Sequence, residues 1–233
     1  MNHENLGKTV FESSLRNLYK IELRNDNHKI LLKDSFKLNL KKKPAIFFDR
    51  DGVIIEDCHY INKKEKVKLC PGAKDLLRYF FKKKIIVVII TNQSGITKKY
   101  LSWSDYAEVT NQLISLLEEP NPVTAIYANS YVTEKPSSNW RKPNPSMILS
   151  AANHLNLDIK RSILIGDRIS DIYAGINAKI PNIFHVKTGH GEKERSLIKN
   201  QIEKEPLLKN RKKLSKLYFL DTLLDFPLDL IPK

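Results

Sequence analysis

Short apolar runs recur along the chain, with longer segments of helical periodicity between them. Ala45-Ile46-Phe47-Phe48 opens the series, and 72–84 follows as a helix. The run 85–90 is wholly β-branched and aliphatic. Its unbroken apolar character suits a strand covered on both faces. The next helix is predicted over 104–118, with Tyr106, Val109, Leu113, Leu116 and Leu117 at helical spacing and Ser102 with Asp105 as its capping pair. Further strands are predicted at 123–127, 162–165 and 182–186. Helices are predicted at 144–156, where Pro145 suits the first turn, and at 171–178. Strands alternating with helices predict an α/β fold: a central parallel sheet with helices on both faces. No internal repeat is visible.

The pattern divides the chain into a domain over 44–192, an N-terminal extension over 1–43 and a C-terminal extension over 193–233. The first extension mixes an amphipathic stretch (Val10, Phe11, Leu15, Leu18, Tyr19, Ile21) with an alternating one that ends at Leu40. In the second, 193–213 is charged and 214–231 is rich in apolar side chains. Asp221, Asp225 and Asp229 count against docking on anionic lipid, so this tail is expected to pack on the core or on a second subunit.

Composition narrows the class. Of 233 residues 41% are hydrophobic and 28% charged, which excludes a wholly disordered chain, a collagen-like repeat and a disulfide scaffold. Lys and Arg number 40 against 26 Asp and Glu, a net charge of +14. A surplus of that size suggests a polyanionic partner: phosphorylated metabolites, nucleic acid or an anionic membrane. The surplus is spread along all three stretches, and runs such as Lys41-Lys42-Lys43 and Lys82-Lys83-Lys84 read as solvated flanks of apolar segments. Two cysteines, Cys58 and Cys70, are read as reduced thiols. The N-terminus shows no apolar signal core and no aliphatic run is long enough to cross a bilayer, so the cytoplasm is the expected compartment.

Four segments carry candidate chemistry. In Phe47-Phe48-Asp49-Arg50-Asp51-Gly52-Val53 an apolar strand runs into two carboxylates at i and i+2. Carboxyl ends of parallel strands open into the ligand crevice, and residues two apart in extended chain point the same way. Gly52 lets the backbone turn and approach a ligand closely. Two neighbouring carboxylates repel and call for a cation. Mg²⁺ is apt, because it binds through a few carboxylates and substrate phosphate. An Asp-Gly turn after a strand is the plainer alternative. Ile90-Thr91-Asn92-Gln93-Ser94-Gly95-Ile96 follows the buried strand, where a hydroxyl and successive backbone N–H groups can hold phosphoryl oxygens. In Trp140-Arg141-Lys142-Pro143-Asn144-Pro145, Lys142 offers a point charge to a phosphate and Arg141 a fork to a second anion. In Ser162-Ile163-Leu164-Ile165-Gly166-Asp167-Arg168-Ile169-Ser170-Asp171 a strand again ends in Gly-Asp. Asp167 can complete the cation site or cap a helix, and Asp171 lies one helical turn on.

Together these segments resemble the haloacid dehalogenase (HAD) superfamily of phosphohydrolases. The nearest likeness is to the branch containing D-glycero-D-manno-heptose 1,7-bisphosphate phosphatase and histidinol-phosphate phosphatase. Asp-Arg-Asp-Gly, Thr-Asn-Gln-Ser-Gly-Ile and Arg-Lys-Pro carry the likeness, which covers roughly 44–192 and includes Pro71-Gly72 and Val186-Lys187-Thr188-Gly189. The resemblance implies a three-layer Rossmann-like fold and Mg²⁺-dependent phosphoryl transfer in two steps. Asp49 would be the nucleophile and form an aspartyl-phosphate. Asp51 would protonate the leaving oxygen and then deprotonate the attacking water. Mg²⁺ would be held by the Asp49 carboxylate, the Asp51 carbonyl and Asp167. Thr91 and Lys142 would neutralise charge on the phosphoryl group. Asn92, Gln93, Ser94, Arg141 and Arg168 would bind substrate, and His59 falls where the family's flap reaches it. The stretches 52–70 and 92–140 are too short for a full cap domain, so the site is expected to be open.

One departure stands out. Many members of the branch carry a zinc loop of three cysteines and a histidine before Arg-Lys-Pro. Residues 127–140 hold neither residue type. Zinc needs such ligands, so no structural zinc is expected, and packing, with Trp140 as the candidate, must hold the loop. The substrate is expected to be a small phosphorylated molecule, with a sugar bisphosphate ahead of histidinol phosphate. A nucleic-acid end-processing enzyme, similar to polynucleotide 3′-phosphatases in Asp-x-Asp-Gly and Thr-Asn-Gln, is the rival that the net charge favours. Arg50 between the aspartates and the absence of a kinase-type Gly-rich loop count against it. A non-enzymatic module derived from the fold is disfavoured by the intact Asp49, Asp51, Thr91, Lys142 and Asp167.

Overall fold

The computed structural model describes residues 19–33, 35–133, 139–204 and 215–232. Eight strands form one sheet: β1 (Tyr19–Asn25), β2 (His28–Lys33), β3 (Ala45–Phe48), β4 (Ile86–Asn92), β5 (Ala125–Asn129), β6 (Ile163–Gly166), β7 (Asn182–Val186) and β8 (Lys216–Leu220). Their spatial order is β1-β2-β5-β4-β3-β6-β7-β8. From β5 across to β8 every pairing is parallel. The helices are α1 (Ala73–Lys82), α2 (Ser94–Thr97), α3 (Trp103–Leu117), α4 (Ser146–His154), α5 (Ile169–Asn177) and α6 (Gly191–Lys204).

The central strands are short, apolar and buried on both faces, and their alternation sorts the core into two layers. Ile46, Phe48, Val87 and Ile89 join the cluster that includes Leu76, Leu77 and Phe80 of α1 and Tyr106, Val109 and Leu113 of α3. Ala45, Phe47, Ile86, Val88 and Ile90 face the other way, onto Met147, Ile148 and Ala151 of α4 and Ile172, Ala174 and Ile176 of α5. Helices therefore cover both faces of the sheet, as the periodicity predicts. Each such side chain contributes roughly 1.5–3 kcal/mol by leaving water. Truncating Phe47, buried at the centre, would cost about 3–5 kcal/mol. Ser102 caps α3 as read from the sequence: its hydroxyl accepts from Asp105 N, and the Asp105 carboxylate accepts from Ser102 N in return.

Three strands come from the stretches assigned to extensions. β1 and β2 form an antiparallel hairpin, and β2 pairs antiparallel with β5, so one edge of the sheet departs from the all-parallel expectation. The alternation that sequence carries to Leu40 ends as a strand at Lys33, and Leu38 and Leu40 are exposed. Val10, Phe11, Leu15 and Leu18 lie outside the described residues. At the opposite edge β8 pairs with β7, and the tail behind it packs on the core: the Phe226 ring sits 5.6 Å from Phe80 and 4.9 Å from Phe184. No cap domain stands over the strand ends among the described residues. The described residues of 52–70 and 92–140 hold a short 3₁₀ turn, α2, the core-packed α3 and the sheet strand β5. Cys58 and Cys70 are free thiols, and no helix among the described residues is long and apolar enough to cross a membrane.

Candidate active site

Strands β4, β3 and β6 are neighbours and run parallel, so their carboxyl ends deliver three of the four predicted segments to one place. Asp49 follows β3 directly and extends its ladder, donating N–H to Ile165 O at 2.9 Å. Asp167 follows β6, and Thr91 and Asn92 close β4. The fourth segment is docked by a two-way bond: Asn92 Nδ2 donates to Lys142 O at 3.2 Å, and Lys142 N donates to Asn92 Oδ1 at 3.1 Å.

Lys142 is the hub. Its ammonium lies 2.8 Å from Asp49 Oδ1 and 2.6 Å from Asp171 Oδ1, and donates to Ile90 O at 3.1 Å. Burial disfavours its charged form, but Asp171 and Asp49 outweigh that and hold its pKa above the ordinary lysine value. Asp49 is pushed up to about 7, chiefly by burial, against the pull of Lys142 and with further push from Asp171 and Asp51. Asp167 is held well above the carboxylate range by burial and by its acidic neighbours Asp171 and Asp49. Each of Asp49, Asp167 and Asp171 offers a carboxylate oxygen within 4.8 Å of the others. Asp167 Oδ2 accepts from His190 N at 2.7 Å, while Asp167 Oδ1 is buried without a hydrogen-bond partner among the described residues. Crowded, dehydrated carboxylates with an unpaired oxygen fit a hard divalent cation such as Mg²⁺.

Gly52 makes this crowding possible. Its φ is +82°, and a Cβ there would stand 2.4 Å from Asp167 Oδ2. Behind Asp167, buried His185 places Nε2 3.0 Å from the Asp167 carbonyl oxygen. Burial, with Arg195 beside it, lowers the His185 pKa to about 4, so the ring is neutral.

Asp51 lies apart from that cluster. Arg50, fully buried with its guanidinium 5.0 Å above the Tyr106 ring, grips it: Nε donates to Oδ2 at 3.2 Å and Nη2 to Oδ1 at 3.0 Å. Gln93 Nε2 donates to Asp51 Oδ2 at 2.8 Å and to Thr91 Oγ1 at 2.7 Å.

A cavity of about 420 Å³ opens over these groups. Asp49, Asp51, Asn92, Gln93, Ser94, Arg141, Lys142, Arg168 and His59 line it. Thr91 and Asp167 are buried beneath it. The sequence reading left Asp171 open, and the structure places it in the carboxylate cluster. Asp57 and His190 were not singled out as site residues. His190 Nε2 lies 2.6 Å from Asp57 Oδ2, and the Arg168 guanidinium lies 3.8 Å from the same oxygen. Glu194, whose Oε2 accepts from Ile169 N, also lines the rim and was missed. Only the position of His190 directly after Val186-Lys187-Thr188-Gly189 could have signalled it.

The loop before Arg141 is held by aromatic packing. Trp140 is buried, stacked on His28 at 4.4 Å with the planes 9° apart, and 5.6 Å from Tyr127. Residues 134–138 of the same loop lie outside the described residues.

Such a constellation at the ends of parallel strands defines a phosphotransfer-type site on a Rossmann-like sheet. The HAD-hydrolase-like family model matches residues 139–210. A D-glycero-alpha-D-manno-heptose-1,7-bisphosphate 7-phosphatase of Campylobacter jejuni is 36% identical over 146 residues, 62% of this chain and 83% of that protein. A D-glycero-beta-D-manno-heptose-1,7-bisphosphate 7-phosphatase of Helicobacter pylori is 39% identical over 140 residues, 59% of this chain and 80% of its own. Among solved structures, the D,D-heptose 1,7-bisphosphate phosphatase of B. bronchiseptica, complexed with magnesium and phosphate, superposes with a TM-score of 0.65 at 21% identity, covering 77% of this chain and 93% of that one. The chain belongs to the HAD superfamily of phosphatases, in the branch of the heptose bisphosphate phosphatases.

Proposed function

We propose that this chain is a Mg²⁺-dependent phosphatase that removes a phosphate from a sugar bisphosphate, with D-glycero-D-manno-heptose 1,7-bisphosphate as the favoured substrate. The observation that carries the reading is the Lys142–Asp49 contact of 2.8 Å inside the Asp49–Asp167–Asp171 cluster, at the floor of a cavity large enough for a phosphorylated sugar. Asp49 attacks phosphorus, its Oδ forming the new P–O bond as the bond to the sugar oxygen breaks. Asp51, held by Arg50 and Gln93 beside this centre, gives its proton to the departing oxygen. It then takes a proton from the water that attacks phosphorus, which frees Asp49 and releases phosphate. Lys142 and Thr91 stand where charge develops on the phosphoryl oxygens. Asp49 and Asp167, with the Asp51 carbonyl, would hold Mg²⁺, which supplies positive charge against the phosphoryl group and keeps Asp49 ionised. Arg141 and Arg168 are set to receive the distal part of the substrate. The two free thiols are in keeping with a reducing compartment such as the cytoplasm.

Nucleic acid is the weaker candidate. Cations line the cavity together with Asp57, Asp171 and Glu194, an arrangement suited to a compact polar ligand rather than a continuous polyanion. The test is phosphate release, with Mg²⁺, from the heptose bisphosphate, histidinol phosphate and a 3′-phosphorylated oligonucleotide. Highest kcat/KM on the heptose bisphosphate is expected. A preference for either of the others overturns the assignment.

A further inference from the structure

The tip of the β1–β2 hairpin, Asp26–His28, comes from the N-terminal stretch that the sequence reading left without a purpose. It touches the start of α3, the residue after β5 and the loop that carries Arg141 and Lys142 into the cavity. Asp26 O accepts from Trp103 Nε1 at 3.0 Å, at the start of α3, and the Lys29 ammonium lies 4.6 Å over the same indole. Asn27 O accepts from Ser130 N at 2.9 Å, and Asn27 Oδ1 accepts from Ser130 Oγ at 2.8 Å. Thr97, at the end of α2, donates to Ser130 O at 2.7 Å. His28 is buried between the rings of Trp140 and Tyr131, at 4.4 Å and 5.2 Å, and its Nε2 accepts from Trp140 N at 3.4 Å. Burial lowers the His28 pKa from its ordinary value, and a side-chain hydrogen bond with Asn129 opposes that shift.

Both His28 partners lead to the cation pair. Trp140 immediately precedes Arg141 and Lys142, and the Arg141 guanidinium donates to Tyr131 O at 3.1 Å. We infer that the hairpin tip is a positioning element of the active site: through Trp140 and Tyr131, His28 fixes Arg141 in the geometry that receives the distal part of the substrate. This rests on the phosphatase reading for its kinetic consequence and on the contacts alone for its structural one. Aromatic stacking on a loop can hold position within the fraction of an ångström that such chemistry needs, and a misplacement of about 1 Å costs on the order of a hundredfold.

The test uses His28→Ala and His28→Phe in the full chain. In His28→Ala, kcat/KM for the heptose bisphosphate should fall about tenfold to a hundredfold, mostly through KM, and His28→Phe should recover most of it because the stack survives. Hydrogen exchange at the amides of 139–142 should quicken in His28→Ala while β3 and β6 stay protected, which separates a loosened loop from a lost fold. The chain's two tryptophans, Trp103 and Trp140, both border the tip, so their emission should shift red. Combined with Arg141→Ala, His28→Ala should add no further loss beyond about twofold, since it acts through that residue. Unchanged exchange at 139–142, or independent additive losses in the double variant, overturns the inference. Should the wild-type protein release no phosphate from any substrate, the phosphatase reading fails, and the exchange and emission arms still decide whether the tip holds the loop.

Discussion

Two three-membered ion clusters in this molecule share a geometry and differ in everything else. In the site, Lys142 bridges Asp49 and Asp171 at 2.8 and 2.6 Å with its side chain 2% exposed. On the surface, Glu118 bridges Lys74 and Arg78 at 2.5 and 2.8 Å with its side chain 55% exposed. Water screens the surface cluster, and its cations simply hold Glu118 below the usual carboxylate range. In the buried cluster dehydration dominates: Asp49 is pushed up to about 7 although an ammonium touches it. The lesson is that contact distance does not decide what an ion pair does. Burial turns the same contacts into a site with charge to spare for a cation and a phosphate.

Breaking the buried cluster should have the larger effect. Lys142→Met leaves Asp49 and Asp171 dehydrated beside each other. It should cost about 3–5 kcal/mol by urea unfolding and about 10²–10³-fold in kcat. An unchanged urea midpoint would contradict the account. Gly52→Ala puts a Cβ into Asp167 at a residue with φ +82°. It should cost about 1–3 kcal/mol in a thermal melt and weaken Mg²⁺ binding as Asp167 is displaced.

The next prediction sharpens the comparison through pH. The folded pKa of Asp49, about 7, lies above its ordinary value of 3.8. Folded protein thus holds a proton that unfolded chain has lost, so Asp49 makes metal-free protein lose stability as pH rises from 3.8 to about 7. Mg²⁺ must displace that proton. Its affinity should fall by up to about tenfold per pH unit below 7, and its effect on the melting temperature should be larger at pH 8 than at pH 5.5. A pH-independent Mg²⁺ shift would remove the proton-linked picture. Smallest of all, Glu118→Gln should leave the urea midpoint unchanged, because an exposed pair gains little over water.

What the sequence disclosed follows the same divide. The central strands were legible because burial on both faces leaves continuous apolar runs, as at 85–90, and Asp49 and Asp167 stand out as carboxylates where those runs stop. Ser102 and Asp105 announced their helix start through local chemistry three residues apart. Asp171 was visible but unassigned, because its contact with Lys142 joins the first turn of α5 to the loop before α4. Asp57 and His190 looked like ordinary surface residues, since their pairing exists only once the segment after β3 and the loop after β7 meet. The hairpin was obscure for a different reason: its strands lie at a sheet edge, and His28 gains meaning only by stacking on Trp140, far along the chain. Absence of zinc ligands in 127–140 was plain in the sequence, but not what packs there instead.

The most direct measurement compares Mg²⁺-dependent phosphate release from D-glycero-D-manno-heptose 1,7-bisphosphate by the wild-type protein and by Asp49→Asn. The account predicts turnover that chelation of Mg²⁺ abolishes, and a loss of about 10⁴-fold or more in the variant, which keeps the shape of the side chain but not its nucleophile. An Asp49→Asn protein that works as fast as the wild type would contradict it.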